Sequence, residues 1–154
     1  MLVGMQRLGL AAILFPALLS ALQVASLSGT WQLNVEKSRW GKKPKPYSVV
    51  VTVEHNEPAL KYTGTVTDAM GEPKRHFEYS GSIDGKEYAH GEGMSMLTRV
   101  DPRTVSSIYR SADGYTTIRA TTTVSEDGKT LTRRMTSEGP EGTVRWTEVF
   151  EKQP

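Results

Sequence analysis

The sequence predicts an all-β protein, an antiparallel up-and-down meander barrel of about eight to ten strands preceded by an N-terminal signal segment. Three observations lead there. Beyond Ser28, short segments rich in Val, Thr, Ile and Tyr follow one another with no helical period. Turn pairs separate them, and Asp84-Gly85, Asp113-Gly114 and Asp127-Gly128 have the residue types that tolerate the positive φ of two-residue hairpins. The registers dictated by such turns bring apolar residues to one side of every strand.

At the start of the chain, Arg7 supplies a positive charge, Leu8 to Leu22 is an uncharged apolar run, and small residues follow around Val24-Ala25-Ser26. This is the pattern of a cleavable secretory signal with its cut after Ser26. Residues 1–26 are expected to be the signal peptide and 27–154 a β-barrel domain, secreted or periplasmic. The competing reading, an uncleaved anchor, needs an apolar run of roughly 20 residues, longer than this one. No stable membrane insertion is therefore expected after cleavage. With 154 residues and 37% hydrophobic content, the chain suits one domain with its own core. The formal charge is only +2 and the basic residues are scattered, so nucleic acid is not an expected partner. The absence of cysteine excludes disulfides, thiolate metal sites, a lipidated cysteine and a cysteine nucleophile.

The first expected strand, 29–35, alternates Trp31, Leu33 and Val35. Residues 36–47 form a loop with Pro44, Pro46 and the basic run Lys42-Lys43-x-Lys45. Strands 48–54 and 59–67 meet at a His55 to Pro58 turn that sets Val53 against Leu60 and Val51 against Tyr62. Met70-Gly71 leads into 74–83 and sets Tyr62 against Tyr79, and Asp84-Gly85 leads into 86–91 and sets Tyr79 against His90. Between 94–100 and 104–111, Pro102-Arg103 puts Val100 opposite Val105 and Met96 opposite Tyr109. Asp113-Gly114 sets Tyr109 against Ile118 on 115–125. Asp127-Gly128 then sets Val124, Thr122 and Ala120 against Leu131, Arg133 and Met135 on 130–138. Pro140-Glu141 sets Met135, Arg133 and Leu131 against Trp146, Glu148 and Phe150 on 143–151. The apolar sides agree at each step. A sheet of this many twisted strands closes or splits into a sandwich, and hairpin-only connectivity favours closure.

Gly29-Thr30-Trp31 at the start of the first strand and the ending Thr147-Glu148-Val149-Phe150-Glu151-Lys152 resemble the two ends of the lipocalin and fatty-acid-binding group of calycin barrels. The mature chain as a whole resembles small exported bacterial lipocalin-like proteins. That resemblance implies an interior cavity for a small, partly apolar molecule. Two departures accompany it. Fatty-acid-binding proteins carry a helical lid between their first two strands, which the proline-containing segment 36–47 cannot make. Their last strand presents an Arg-x-Tyr pair to the ligand carboxylate, and the matching positions here are Glu148 and Phe150.

Candidate binding residues lie on the shared inward face. Arg133 and Glu148 face each other across adjacent strands beside Met135 and Phe150. They line the polar end of a cavity, with Arg133 donating to a ligand oxygen, or they form a structural cross-strand ion pair that fixes register. Tyr62, Tyr79 and His90 make a row of rings with polar tips, either ligand-facing or core-filling. Tyr109 and the adaptable thioethers of Met96 and Met135 complete the expected lining. The histidines have no metal-ligand spacing, no serine sits in a nucleophile elbow, and Glu148 has no second acid beside it. No metal, cofactor or catalytic residue is expected. The leading expectation is an exported barrel holding a small apolar or amphipathic molecule. The alternatives are a filled barrel that acts as an interaction or structural module of the cell envelope, and an enzyme using an interior Arg, Tyr or His for proton transfer.

Overall fold

The structure is a computed structural model that describes residues 23–154, so most of the expected signal segment, 1–22, lies outside the described residues. Ten strands follow in chain order: β1 (Gly29–Leu33), β2 (Ser48–Asn56), β3 (Ala59–Thr67), β4 (Pro73–Ser82), β5 (Glu87–His90), β6 (Gly93–Asp101), β7 (Thr104–Arg110), β8 (Thr117–Val124), β9 (Thr130–Gly139) and β10 (Gly142–Lys152). They form one sheet in the order β4-β3-β2-β1-β10-β9-β8-β7-β6-β5. Every neighbour pair is antiparallel, and pairing β1 with β10 brings Leu33 opposite Phe150. The sheet curls until its edges, β4 and β5, meet across a seam that carries no ladder. The result is a nearly closed barrel.

The turn chemistry works as expected where Gly85, Gly114 and Gly128 take φ of 74°, 76° and 70°. From β7 to β10 the registers are those the turns dictate: Tyr109 opposite Ile118, Val124 opposite Leu131, Arg133 opposite Glu148 and Met135 opposite Trp146. Three registers differ. The β2–β3 turn is only Glu57-Pro58, so Val53 pairs with Tyr62 and His55 with Leu60. Because the slip is two residues, the inward faces survive. In β6 an irregularity between Arg99 and Asp101 shifts the pairing by one. Val100 turns out to solvent there, while Asp101 accepts from the Arg103 amide at 2.8 Å and Arg99 binds Glu57 with its Nε at 3.2 Å. A one-residue slip exchanges faces, so Ser95, not Met96, stands opposite Tyr109. Finally, Tyr79 and His90 meet across the seam by ring contact, not by strand pairing.

One end of the barrel is plugged by the chain's own approach to β1. Leu27 is 6% exposed and its carbonyl accepts the indole N–H of Trp31, a fully buried ring, at 2.9 Å. The Leu27 amide donates to His55 Nδ1 at 3.1 Å, leaving Nε2 to meet Glu57 at 2.6 Å. Ser28 Oγ accepts the His55 amide at 2.8 Å, and the Ala25 amide donates to the Pro102 carbonyl at 2.8 Å. At the other end no helix among the described residues covers the mouth. Residues 34–41 instead run beside the upper half of β10, where the Arg39 amide donates to Thr147 at 2.8 Å and Trp40 tucks in with its indole on the Val35 carbonyl. Leu27→Ala should destabilise the domain by about 2–4 kcal/mol in urea unfolding, since it opens a cavity above Trp31. A loss below about 0.5 kcal/mol would mean the plug is not part of the core.

Candidate functional site

The inner wall divides into two zones. Near the plugged end Trp31, Leu60, Val105, Val124, Leu131 and Phe150 are buried against one another, and nothing enters. Towards the mouth, Tyr62, His90, Tyr109, Ile118, Arg133, Met135 and Glu148 also point inward, yet they remain partly accessible. Inward-facing side chains keep accessible surface only where space lies beside them. Arg133 retains 31% of its side-chain surface and Glu148 15%.

A ring cluster forms one side of this zone. Tyr62 stacks on Tyr79 at 5.4 Å between centroids, and His90 meets Tyr79 edge-on at 5.3 Å and Tyr109 at 5.4 Å. These separations are those at which aromatic pairs attract. Inward glycines make the room. A Cβ at Gly64 would strike the Phe77 ring, one at Gly81 the Tyr79 hydroxyl, and one at Gly93 the Tyr109 ring. Ser95 Oγ lies 2.7 Å from His90 Nδ1, and the Tyr62 hydroxyl lies 3.5 Å from Nε2. The Tyr79 hydroxyl is buried without a hydrogen-bond partner among the described residues, an exception of the kind that costs free energy until something bonds it.

Arg133 approaches the cluster from β9. It is held by one hydrogen bond, Nη1 to Glu148 Oε2 at 3.2 Å, while Glu148 Oε1 accepts the Trp146 indole at 2.8 Å. Both carboxylate oxygens are thus engaged. A guanidinium has five N–H donors, so most of those on Arg133 have no partner among the described residues. Burial raises the Tyr62 phenol and the positive charge of Arg133 partly opposes it, whereas the Tyr79 phenol is pushed up to about 12, mainly by burial. Burial pushes the His90 imidazole below its ordinary value and Arg133 adds to the push. Tyr62 and His90 are therefore neutral at physiological pH and lie near a fixed cation.

Of the sequence-predicted lining, Tyr62, Tyr79, His90 and Tyr109 come together, and Arg133, Met135 and Glu148 share the accessible zone. Phe150 faces inward but belongs to the packed end. Met96 is a correction: the slip in β6 points it outward, and Ser95 takes the inner place. Phe77 and Ser95 were not expected, the first because Tyr79 two residues on was given its role and the second because the bulge leaves no mark in the turn residues. Two grooves lie at the ends of the barrel. One of about 680 Å³ at the mouth is lined by Val35, Lys45, Tyr47, Thr67, Asp68 and Lys74, and one of about 400 Å³ adjoins Ser28, His55, Leu60 and Gly81. Among the described residues no group of three or more His, Cys, Asp or Glu could hold a metal ion, and no helix is long and apolar enough to cross a membrane.

Comparison with solved structures gives the architecture a name. The zebrafish ileal bile acid-binding protein complexed with cholic acid superposes with a TM-score of 0.59 at 13% identity, over 82% of this chain and 98% of that one. The fold is the antiparallel β-barrel of that protein. The M. tuberculosis protein Rv2717c matches with a TM-score of 0.55 at 17% identity, over 83% of this chain and 93% of that one. No protein-family model matches the chain, and no curated protein does.

Because the Arg133–Glu148 pair is only half buried, breaking it costs less than breaking a fully desolvated pair. Glu148→Leu strands both Arg133 and the Trp146 indole and should cost about 1–3 kcal/mol, more than Arg133→Met. A double-mutant cycle by chemical unfolding should give a coupling of roughly 0.5 kcal/mol or more, and strict additivity would dissolve the pair. For His90 the unfolded chain takes up a proton below about pH 6.5 that the folded barrel refuses. Its contribution is complete above that pH and is lost as pH falls through it towards the lowered folded value. Thermal midpoints should decline on acidification, with a shallower slope in His90→Gln; an unchanged slope would remove His90 from the account.

Proposed function

We propose that the chain is an exported barrel that holds a small amphipathic molecule in the mouth half of its interior, its apolar body against Tyr62, Tyr79 and His90 and its polar end on Arg133. The observation that carries this is the state of Arg133: inward, 31% accessible, and hydrogen-bonded once. A cation kept on the inner wall with unused donors, close enough to Tyr62 and His90 to act on both, supplies a polar group of the kind that ligand sites place in apolar surroundings. The zebrafish relative in fold was solved with cholic acid, itself amphipathic, and that likeness supports the class of cargo. Glu148 stands beside Arg133, so the ligand's polar end is better served by a neutral acceptor such as a hydroxyl or carbonyl than by a second anion.

Export rests on the leader-like start of the chain, and the plug limits where a cut can fall: Leu27 is the first residue whose side chain is buried among the described residues, although Ala25 before it already bonds Pro102. An exported product should therefore still contain Leu27 when its intact mass is measured. A product beginning at Gly29 would contradict this, since it would leave the Trp31 indole without its partner.

The test of the binding reading is native mass spectrometry of the protein purified from its own source. A co-purifying molecule that is retained by the wild type and lost from Arg133→Met, at a cost of roughly tenfold or more in affinity, is the expected result. No bound molecule, with full stability in the empty state, would favour the filled barrel and its interaction role, to which the close packing of the plugged half already lends weight.

A further inference from the structure

The outer wall carries a charge pattern that is dispersed in the chain. Arg119 on β8, Arg134 on β9 and Arg145 on β10 all point outward and are exposed, as is Arg39 on the segment bridged to Thr147. Thr136 lies opposite both Arg119 and Arg145, while Arg134 lies opposite Thr121 and Thr147. Arg134 is thereby a diagonal neighbour of Arg119 and of Arg145, at roughly 7–8 Å. Four guanidinium groups and three threonine hydroxyls share one patch. The exposed Lys42 and Lys45 extend it, since Gly41 packs on the Arg145 carbonyl.

Off the wall most arginines are paired, and Arg75 lies over the Phe77 ring. Arg99 binds Glu57, Arg103 binds Glu126, Arg110 binds Glu87 and Arg133 binds Glu148. Among the described residues none of the four arginines of the wall makes a salt bridge or a side-chain hydrogen bond. Glu138 is the acid nearest on the ladder, diagonal to Arg119 and Arg145, and it pairs with neither. Clustered like charges repel, so the fold gains nothing from their proximity. Planar guanidinium forks match the oxygens of phosphate and sulfate groups.

We propose that the wall of β8, β9 and β10 binds a linear polyanion bearing phosphate or sulfate groups. Two features favour a flexible chain over a lipid surface. None of the exposed large apolar side chains Tyr47, Met70, Met94, Val100 and Tyr115 is on β8, β9 or β10, and Tyr47 lies beyond Lys45 at the mouth, so the wall itself offers nothing that would enter a bilayer. A barrel wall is also convex, and a flat surface would meet few of the arginines at once. The surface is separate from the interior site and does not depend on it.

The test measures binding of labelled long-chain inorganic polyphosphate and of dextran sulfate by fluorescence anisotropy across a salt series. The wild type should bind at low salt. The combined variant Arg119→Gln/Arg134→Gln/Arg145→Gln should bind at least about tenfold more weakly, with a log–log salt slope shallower by about two. Arg134→Gln alone should weaken binding about two- to threefold, which keeps the test available should the combined variant fold poorly. Lys61→Gln, on the opposite wall, should change nothing. Preference for polyphosphate over dextran sulfate would assign the ligand to phosphate chemistry, and the reverse to sulfate. The proposal is overturned by no binding at low salt, by an equal loss in Lys61→Gln, or by binding to phosphatidylglycerol vesicles with none to either polymer.

Discussion

The barrel depends on one constraint: along a hydrogen-bonded ladder, side chains alternate, and a tight turn transmits the choice of face from each strand to the next. The rule runs along the ladder from β4 through β1 and β10 to β5, shifted once in β6 and interrupted at the β4–β5 seam, and the pairing of β1 with β10 makes the two ends of the chain obey it together. A single inward face then becomes an enclosed lining. Trp31 shows the strength of the arrangement, being fully buried and hydrogen-bonded by the residue that plugs the barrel behind it.

From that constraint follow both the filled and the accessible zones. Where the inward positions hold Leu, Val, Trp and Phe, the rings and branches meet and close the interior. Where they hold Arg133, Glu148, His90, Tyr62 and Tyr109, the inward side chains stay partly accessible, and inward glycines trade bulk for aromatic rings. The opposite face of the same strands carries the arginine patch. One ladder thus positions two chemically different surfaces back to back.

Much of this was legible in the sequence. From β7 to β10 the registers followed from Asp113-Gly114, Asp127-Gly128 and Pro140-Glu141, and they placed Arg133 opposite Glu148 correctly. The failures have local causes. A bulge beside Asp101 costs one residue and leaves no signature, so Met96 was put inside in place of Ser95. The seam between β4 and β5 arises from closure geometry, which no hairpin rule contains. The arginines of the wall are far apart in sequence and become neighbours only through pairing across three strands, which is why scattered charge was read as no patch at all.

The chain has no cysteine, so single cysteines can probe the enclosed lining directly. Met135→Cys should react with a small reagent such as iodoacetamide but not with a bulky polymer-linked maleimide, while Arg134→Cys, one residue away on the outside, should react with both. Equal reactivity of the two positions, or a Met135→Cys thiol inert to the small reagent, would contradict an enclosed and accessible interior.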